Sequence, residues 1–394
     1  MKRQRILAVL LCALLMLTLA LPAAAKKAEP QFKNVIFMIG DGMGENHLNL
    51  AKEQGYELFM DAAPDLRGQS KTRSQSSEVT DSAAGATALS CGVRTSNGAV
   101  CTYWFDKGGK VMQPRIITEA AQAHGMKTGI VTTDKTSGAT PAGYSAHVED
   151  RDMVAEISLS QFESGVDLIW GANENAATKE DAEAGGYTYI TTKDEMDALE
   201  PGTRSFGQFS GNTWWQSVPQ DDPSPTLQEM SEKAIELLNA DNENGFFLMI
   251  EGAHIDKNSH RSENDAVHFE KKVKDAAWAV KGFDNAVKAA VEFARADGQT
   301  LVVVTADHET GDLYYDDGSY KFHSASHSAA NVPVFVYGAD DLFAPGEAVK
   351  NSSMPGRVAK KLGWNSWEVP RVTAGSLTRK FWSVVSLQWL WDRF

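Results

Sequence analysis

Six short apolar, β-rich runs punctuate this chain: Asn34 to Ile39, Thr128 to Thr133, Val166 to Trp170, Phe246 to Ile250, Thr300 to Thr305 and Val332 to Tyr337. Near-continuous apolar runs of this length suit strands buried on both faces. Between them, Arg115 to His124, Thr226 to Ala240 and Asn264 to Arg295 place apolar residues at helical spacing, and Thr226-Leu-Gln-Glu229 has the form of a capping box. Strands alternating with helices predict one α/β domain, a mostly parallel central sheet flanked by helices on both faces. With 394 residues, 42% hydrophobic and 23% charged, the chain has the material for one large globular core. The stretch Thr178 to Pro225 breaks the alternation. It is rich in Gly, Ser, Asp and Thr, carries Trp214-Trp215 beside a Pro/Asp cluster, and reads as a surface insertion.

The first 25 residues have the pattern of a signal peptide. Lys2, Arg3 and Arg5 precede an apolar stretch from Ile6 to Leu21, and Ala23-Ala24-Ala25 offers a small-x-small cleavage site. Export to the periplasm or beyond is the expectation. A membrane anchor is the rival, but the run is short for a span and ends in a cleavage signal. The leader carries three positive charges and no negative one, so its removal takes the net charge from −14 to −17. A surface that acidic excludes nucleic-acid binding through the general field, and an anionic substrate would need local attraction from bound metal cations. Cys91 and Cys101 then remain as an even pair: either a disulfide contributing about 2 to 3 kcal/mol or two free thiols. Five of the ten tryptophans lie between Trp364 and Trp391, in a tail too interrupted to span a bilayer. Packing on the domain is its simplest use, and the role of residues 365–394 is otherwise open.

In an open parallel sheet, ligands bind beyond the carboxyl ends of the strands. Three such ends carry acids and imidazoles. The first run leads into Gly40-Asp41-Gly42, the fourth into Glu251-Gly-Ala-His-Ile-Asp256-Lys257-Asn-Ser-His260, and the fifth into Ala306-Asp307-His308-Glu309. Each alone has a bland alternative, as a helix cap, a partnered buried acid or turn residues. Three sets at three strand ends point to divalent cations, and carboxylate oxygen with imidazole nitrogen and no thiolate suits zinc and magnesium. The spacing Asp256-x-x-x-His260 puts both groups on one face of a helix. His323 and His327 both lie just before the sixth strand, and spacing does not choose between them. Ser82, in Thr80-Asp81-Ser82-Ala-Ala-Gly, opens a small-residue helix; it is either that helix's cap or a hydroxyl nucleophile at the positive end of the dipole, where phosphate is also held. Arg151 is either a two-pronged phosphate clamp or the partner of a neighbouring acid.

These motifs, in this order, resemble the alkaline phosphatase family from Asn34 to about Trp364, with residues 26–364 as the catalytic domain. Asn34-Val-Ile-Phe-Met-Ile-Gly-Asp41-Gly-Met-Gly resembles its first metal motif, Thr80-Asp81-Ser82-Ala-Ala its nucleophile motif, and Gly138-Ala-Thr140-Pro-Ala-Gly-Tyr-Ser-Ala-His-Val-Glu-Asp-Arg151 the segment giving a magnesium ligand and the phosphate-binding arginine. The resemblance implies two Zn2+ and one Mg2+. Asp256, His260 and His327 would hold one zinc, Asp41, Asp307 and His308 the other, and Asp41, Thr140 and Glu251 the magnesium. It selects His327 over His323, and places Lys257 where it would contact phosphate through water. Ser82 would carry the covalent phosphate in hydrolysis of small phosphate monoesters, with Arg151 on the nonbridging oxygens. A homodimer is also implied. The chain departs from the family at Gly138, where some relatives carry Asp or His around the third metal, so weaker magnesium binding is the expectation.

Two other readings compete. A phosphodiesterase or sulfatase would share the same metal-binding sheet, although Ser82 and Arg151 favour the monoester, whose extra charged oxygen such a clamp uses. A non-catalytic periplasmic phosphate- or metal-binding protein has no need for a hydroxyl beside two cations.

Overall fold

The computed structural model describes residues 32–104, 111–173, 176–210, 224–261, 266–364 and 372–373. The expected leader, Trp214-Trp215 and nearly all of the tryptophan-rich tail lie outside these residues. Ten strands form the central sheet: β1 (Asn34–Gly40), β2 (Leu66–Lys71), β3 (Lys127–Lys135), β4 (Leu168–Ala172), β5 (Thr188–Ile190), β6 (Ser205–Phe209), β7 (Phe246–Gly252), β8 (Thr300–Thr305), β9 (Val332–Tyr337) and β10 (Ala348–Lys350). Their spatial order is β10-β2-β9-β8-β1-β7-β3-β4-β6-β5. All pairs are parallel except those of β9, which runs antiparallel to both β8 and β2.

Period-two alternation along the central strands feeds two cores. Ile36, Met38, Leu248, Ile250, Val302 and Val304 join the core under helices α1 (Glu45–Glu53), Leu227–Asn239 and Ala266–Asp297. Val35, Phe37, Ile39, Phe247, Met249, Leu301 and Val303 join the opposite core, closed by α2 (Ser82–Cys91), Ile117–Ala123, Val154–Glu163 and Met354–Lys361. The predicted capping box forms: Thr226 Oγ1 accepts from the Glu229 amide at 3.2 Å while Glu229 Oε2 accepts from the Thr226 amide at 2.8 Å.

Register aligns the strand ends that matter. Ile39 pairs with Glu251 on one side and Thr305 on the other, and Thr132 pairs with Glu251. The carboxyl ends of β1, β3, β7 and β8 therefore share one rim.

Two features depart from the sequence pattern. Leu66-Arg-Gly-Gln-Ser-Lys71 is a strand with alternate residues exposed, and its polar outward face hid it. The Thr178 to Pro225 region is more than decoration: β5 and β6 lie within it and complete the sheet edge. All five residues of β6 are buried, and the Trp170 indole donates to Ser205 Oγ at 2.9 Å. Among the described residues, no helix is long and apolar enough to cross a membrane.

A third, smaller core holds Cys91 and Cys101 beside Ala83, Val100, Ala139 and Val148. The disulfide envisaged for this pair is absent: both cysteines are free and buried. Their thiols point to different carbonyls, Cys101 Sγ to Gly143 O at 3.1 Å and Cys91 Sγ to Pro114 O at 3.9 Å, while Ser90 Oγ lies 3.5 and 3.7 Å from the two sulfurs. Nearby, His147 bridges Cys101 O at 2.8 Å and Glu119 Oε1 at 3.1 Å. Burial acts to lower its pKa, but Glu119 and Cys101 together outweigh it and raise the imidazole to about 9.

Truncating Trp170 to alanine removes a fully buried ring and its hydrogen bond; a loss of about 3–5 kcal/mol is expected, read from the urea unfolding midpoint. The raised His147 pKa makes its contribution complete below the ordinary histidine value of 6.5 and lost as pH climbs through about 9. Thermal melts across that window should show a steeper decline for the parent than for His147→Gln; parallel curves would contradict a charged His147.

Candidate active site

The rim is built by turns that immediately follow the strands. After β1 the chain reverses at Gly42, whose φ is +72° and where a Cβ would lie 2.8 Å from Thr310 Oγ1 and 2.9 Å from Asp256 Cα. Only glycine fits there, and the turn aims Asp41 inward. In α2 the N-cap is Asp81, whose Oδ1 accepts from the Ala84 amide at 3.0 Å. Ser82 is thus the first residue inside the helix rather than its cap, and its Oγ faces His308 Nε2 at 3.2 Å. The helix His254–Ser259 ends on His260, so Asp256 and His260 share one face as their spacing predicted. His327 opens a two-residue strand paired with Glu309–Thr310, directly after Asp307-His308.

Two sets of donor atoms converge. In the first, His260 Nε2 lies 2.9 Å from His327 Nε2, and Asp256 Oδ1 is 3.1 and 3.5 Å from these nitrogens. In the second, His308 Nε2 is 3.4 Å from Asp41 Oδ1 and 3.3 Å from Asp307 Oδ2. Ligands about 2.0–2.2 Å from a tetrahedral zinc stand roughly 3.3–3.6 Å apart; the second set, at 3.3 and 3.4 Å, has that spacing, and the first, at 2.9 to 3.5 Å, is tighter. The His308 and His327 rings stack at 3.5 Å, so the sets lie side by side.

The hydrogen bonds also show what these atoms lack. His260 Nδ1 contacts Ala325 O at 2.8 Å and His327 Nδ1 contacts Thr80 O at 2.9 Å. A carbonyl only accepts, so each Nδ1 carries the proton, and in the neutral rings both Nε2 atoms carry lone pairs. Two lone pairs 2.9 Å apart repel unless a proton or cation lies between them. Among the buried side-chain oxygens without a hydrogen-bond partner of ordinary geometry, which also include those of Ser70, Thr72, Tyr144, Gln161 and Asn242, four stand at this rim: Asp41 Oδ1, Asp307 Oδ2, Glu251 Oε1 and Thr140 Oγ1. All four belong to the expected ligand set, and such orphans are costly.

Charge repulsion tells the same story. Burial, then Asp307, Asp256 and Glu251, push the Asp41 carboxyl well above its usual range. Burial followed by Asp134 pushes Glu251 up to about 8, against the opposing pull of the Thr132 and Thr140 hydroxyls. Asp256 goes the other way: burial would raise it, but the contacts from His260 and His327 hold it well below the carboxylate range. An all oxygen and nitrogen donor set of this charge fits zinc and magnesium, which would relieve both the orphaned oxygens and the repulsion.

The structure thus brings Asp41, Ser82, Thr140, Glu251, Asp256, His260, Asp307, His308 and His327 to one rim. His323 is excluded, its side chain 73% exposed and paired with Asp312. Arg151 is both clamp-like and paired, donating one N–H to Asp81 Oδ2 at 3.3 Å. Lys257 forms an ion pair with Asp134. Asp81, Asp134 and Thr310, whose hydroxyl donates to Asp256 Oδ1, went unseen in the sequence reading. Asp81 had a usable signal, since an aspartate before a small-residue helix is a preferred cap; the other two are fixed only by tertiary contact.

A family model described as alkaline phosphatase matches residues 32–169 and 163–354. Alkaline phosphatase 4 of Bacillus subtilis is 34% identical over 310 residues, 73% of this chain but 64% of that relative's length. Alkaline phosphatase 3 of the same organism is 31% identical over 377 residues, 90% of this chain and 78% of the relative. Among solved structures, a mutant alkaline phosphatase of the Antarctic bacterium TAB5 with Mg bound in its M3 site is 30% identical, with a TM-score of 0.65 over 86% of this chain and 100% of that one. The cold-active enzyme of a Shewanella species, 24% identical, shares the fold at a TM-score of 0.71 over 84% and 99% of the two chains. This chain belongs to the alkaline phosphatase family.

Proposed function

We propose that this protein hydrolyses small phosphate monoesters through a phosphoserine intermediate on Ser82. The observation that carries the reading is the position of Ser82 Oγ: at the amino end of α2, 3.2 Å from His308 Nε2, a nitrogen shared by two groups of donors able to hold a cation, Asp256 with His308 and His327 and Asp41 with Asp307 and His308. Asp256, His260 and His327 would hold one zinc, Asp41, Asp307 and His308 a second, and Asp41, Thr140 and Glu251 a magnesium. When bound, these cations lower the cost of forming the serine alkoxide, neutralise the departing alcohol oxygen and favour ionisation of the hydrolytic water.

The chain's own groups do the rest. With His308 Nε2 committed as a ligand, Ser82 needs no histidine base. Its oxygen attacks phosphorus in line, the P–O bond to the alcohol breaks, and water later cleaves the phosphoserine to release inorganic phosphate. Amides at the α2 amino end and the Arg151 guanidinium face the nonbridging oxygens. Because Asp81 takes only one Arg151 N–H in the structure, the fork keeps donors for phosphate. Lys257, tied to Asp134, adds positive charge at the same edge. A monoester offers one more charged oxygen to this array than a diester does, which favours monoesterase over diesterase or sulfatase activity. The basic-apolar-alanine pattern of residues 1–25 supports an exported enzyme.

Ser82→Ala is expected to lower turnover of a chromogenic monoester by at least about 10³-fold with zinc and magnesium content unchanged; parent-like turnover at equal metal content would remove Ser82 from its role. Chelation should abolish activity, and zinc with magnesium should restore it. Metal analysis alongside assays on one monoester and one diester checks both cation and substrate class, and turnover indifferent to chelation would rule out the cation assignment.

A further inference from the structure

Gly138 precedes the short helix Ala139–Ala142 that carries Thr140, and the space above it is occupied. A Cβ at position 138 would lie 2.3 Å from Asp134 Oδ2 and 2.7 Å from Asp134 Cγ. A side chain there and the Asp134 carboxylate exclude each other. What fills the place is a carboxylate from four residues upstream, at the end of β3.

That carboxylate is fixed from several directions. Asp134 Oδ1 accepts from the Lys135 amide at 2.7 Å and pairs with Lys257 Nζ. The Asp134 amide donates to Thr132 Oγ1 at 2.8 Å, and the same hydroxyl donates to Glu251 Oε2. Asp134 is thus joined through Thr132 to Glu251, whose other oxygen is one of the buried orphans, as is Thr140 Oγ1 on the far side of Gly138. Its side chain is 16% exposed, open enough to meet water at the edge of that site.

We propose that Asp134 is a positioning residue for the third cation: its carboxylate, admitted by Gly138, faces the water shell of a hydrated divalent ion held by Asp41, Thr140 and Glu251 and holds Lys257 beside it. The inference rests on the cation assignment made above. It replaces the expectation that Gly138 leaves this site without outer support. Magnesium keeps several waters when bound, so a carboxylate accepting from those waters orients the ion without replacing a direct ligand.

The test is a metal titration, independent of turnover. Chelator-stripped protein is reloaded with two equivalents of zinc and titrated with Mn2+, free and bound ion being distinguished by electron paramagnetic resonance; thermal melts confirm that each variant is folded. Asp134→Ala and the isosteric Asp134→Asn should both weaken Mn2+ binding by about 10–100-fold with zinc content unchanged. Gly138→Ala should weaken it too, by displacing the carboxylate. Relocating the charge, in Asp134→Ala combined with Gly138→Asp, should recover most of the affinity, which a merely structural role for Asp134 would not. Parent-like affinity in both single Asp134 variants, or a relocated variant as weak as Asp134→Ala, overturns the inference alone. A parent that takes up no third ion overturns it together with the cation assignment.

Discussion

Mutual repulsion among buried acids is the constraint around which this fold is arranged. Asp41, Glu251, Asp256 and Asp307 are all withdrawn from water at one rim, and ionised carboxylates so placed are tolerated only when compensated. Protein cations supply part of the compensation: Arg151 acts on Asp41, and Lys257 on Glu251. Neither reaches the orphaned oxygens. Each imidazole spends its Nδ1 proton on the protein, His260 and His327 on carbonyls and His308 beside the Thr310 hydroxyl, leaving Nε2 directed at the acids. Second contacts of this kind fix ring orientation before any ligand arrives.

Asp81 shows how economically the anionic substrate side is organised. One oxygen caps α2, while the other takes the Gly98 amide at 2.9 Å and an Arg151 N–H. The helix that presents Ser82 and the guanidinium that would face a phosphate are therefore referenced to a single carboxylate. A shift of one cannot occur without disturbing the other, and near-attack geometry depends on such relative placement.

The sequence carried the fold well where burial was two-sided. All six apolar runs became strands, and Thr300–Thr305 and Val332–Tyr337 match their expected limits. Polar-faced Leu66–Lys71 escaped because one exposed face dilutes the hydrophobic signal, and the β5 and β6 strands escaped because glycine- and threonine-rich flanks read as loop. At the site, residues directly after strands announced themselves by position, since a charged residue there has few structural reasons to exist. His327 was separable from His323 only by resemblance until the structure placed one against His308 and the other in solvent. Asp134 was invisible for a different reason. Its function depends on what position 138 lacks, and an absence has no local pattern to read. The two cysteines illustrate the reverse, an even count suggesting a bond where the structure holds two free, buried thiols.

The order of the strands has a last consequence. β1 sits between β7 and β8, which arrive more than 200 residues later in the chain, and Ser82 meets His308 across a separation of 226 residues. No contiguous fragment from the amino end assembles either donor set until the stretch after β8 has been made, because the final imidazole lies at position 327. A chain that stops short of His308 therefore completes neither donor set, and one that stops short of His327 still lacks the first.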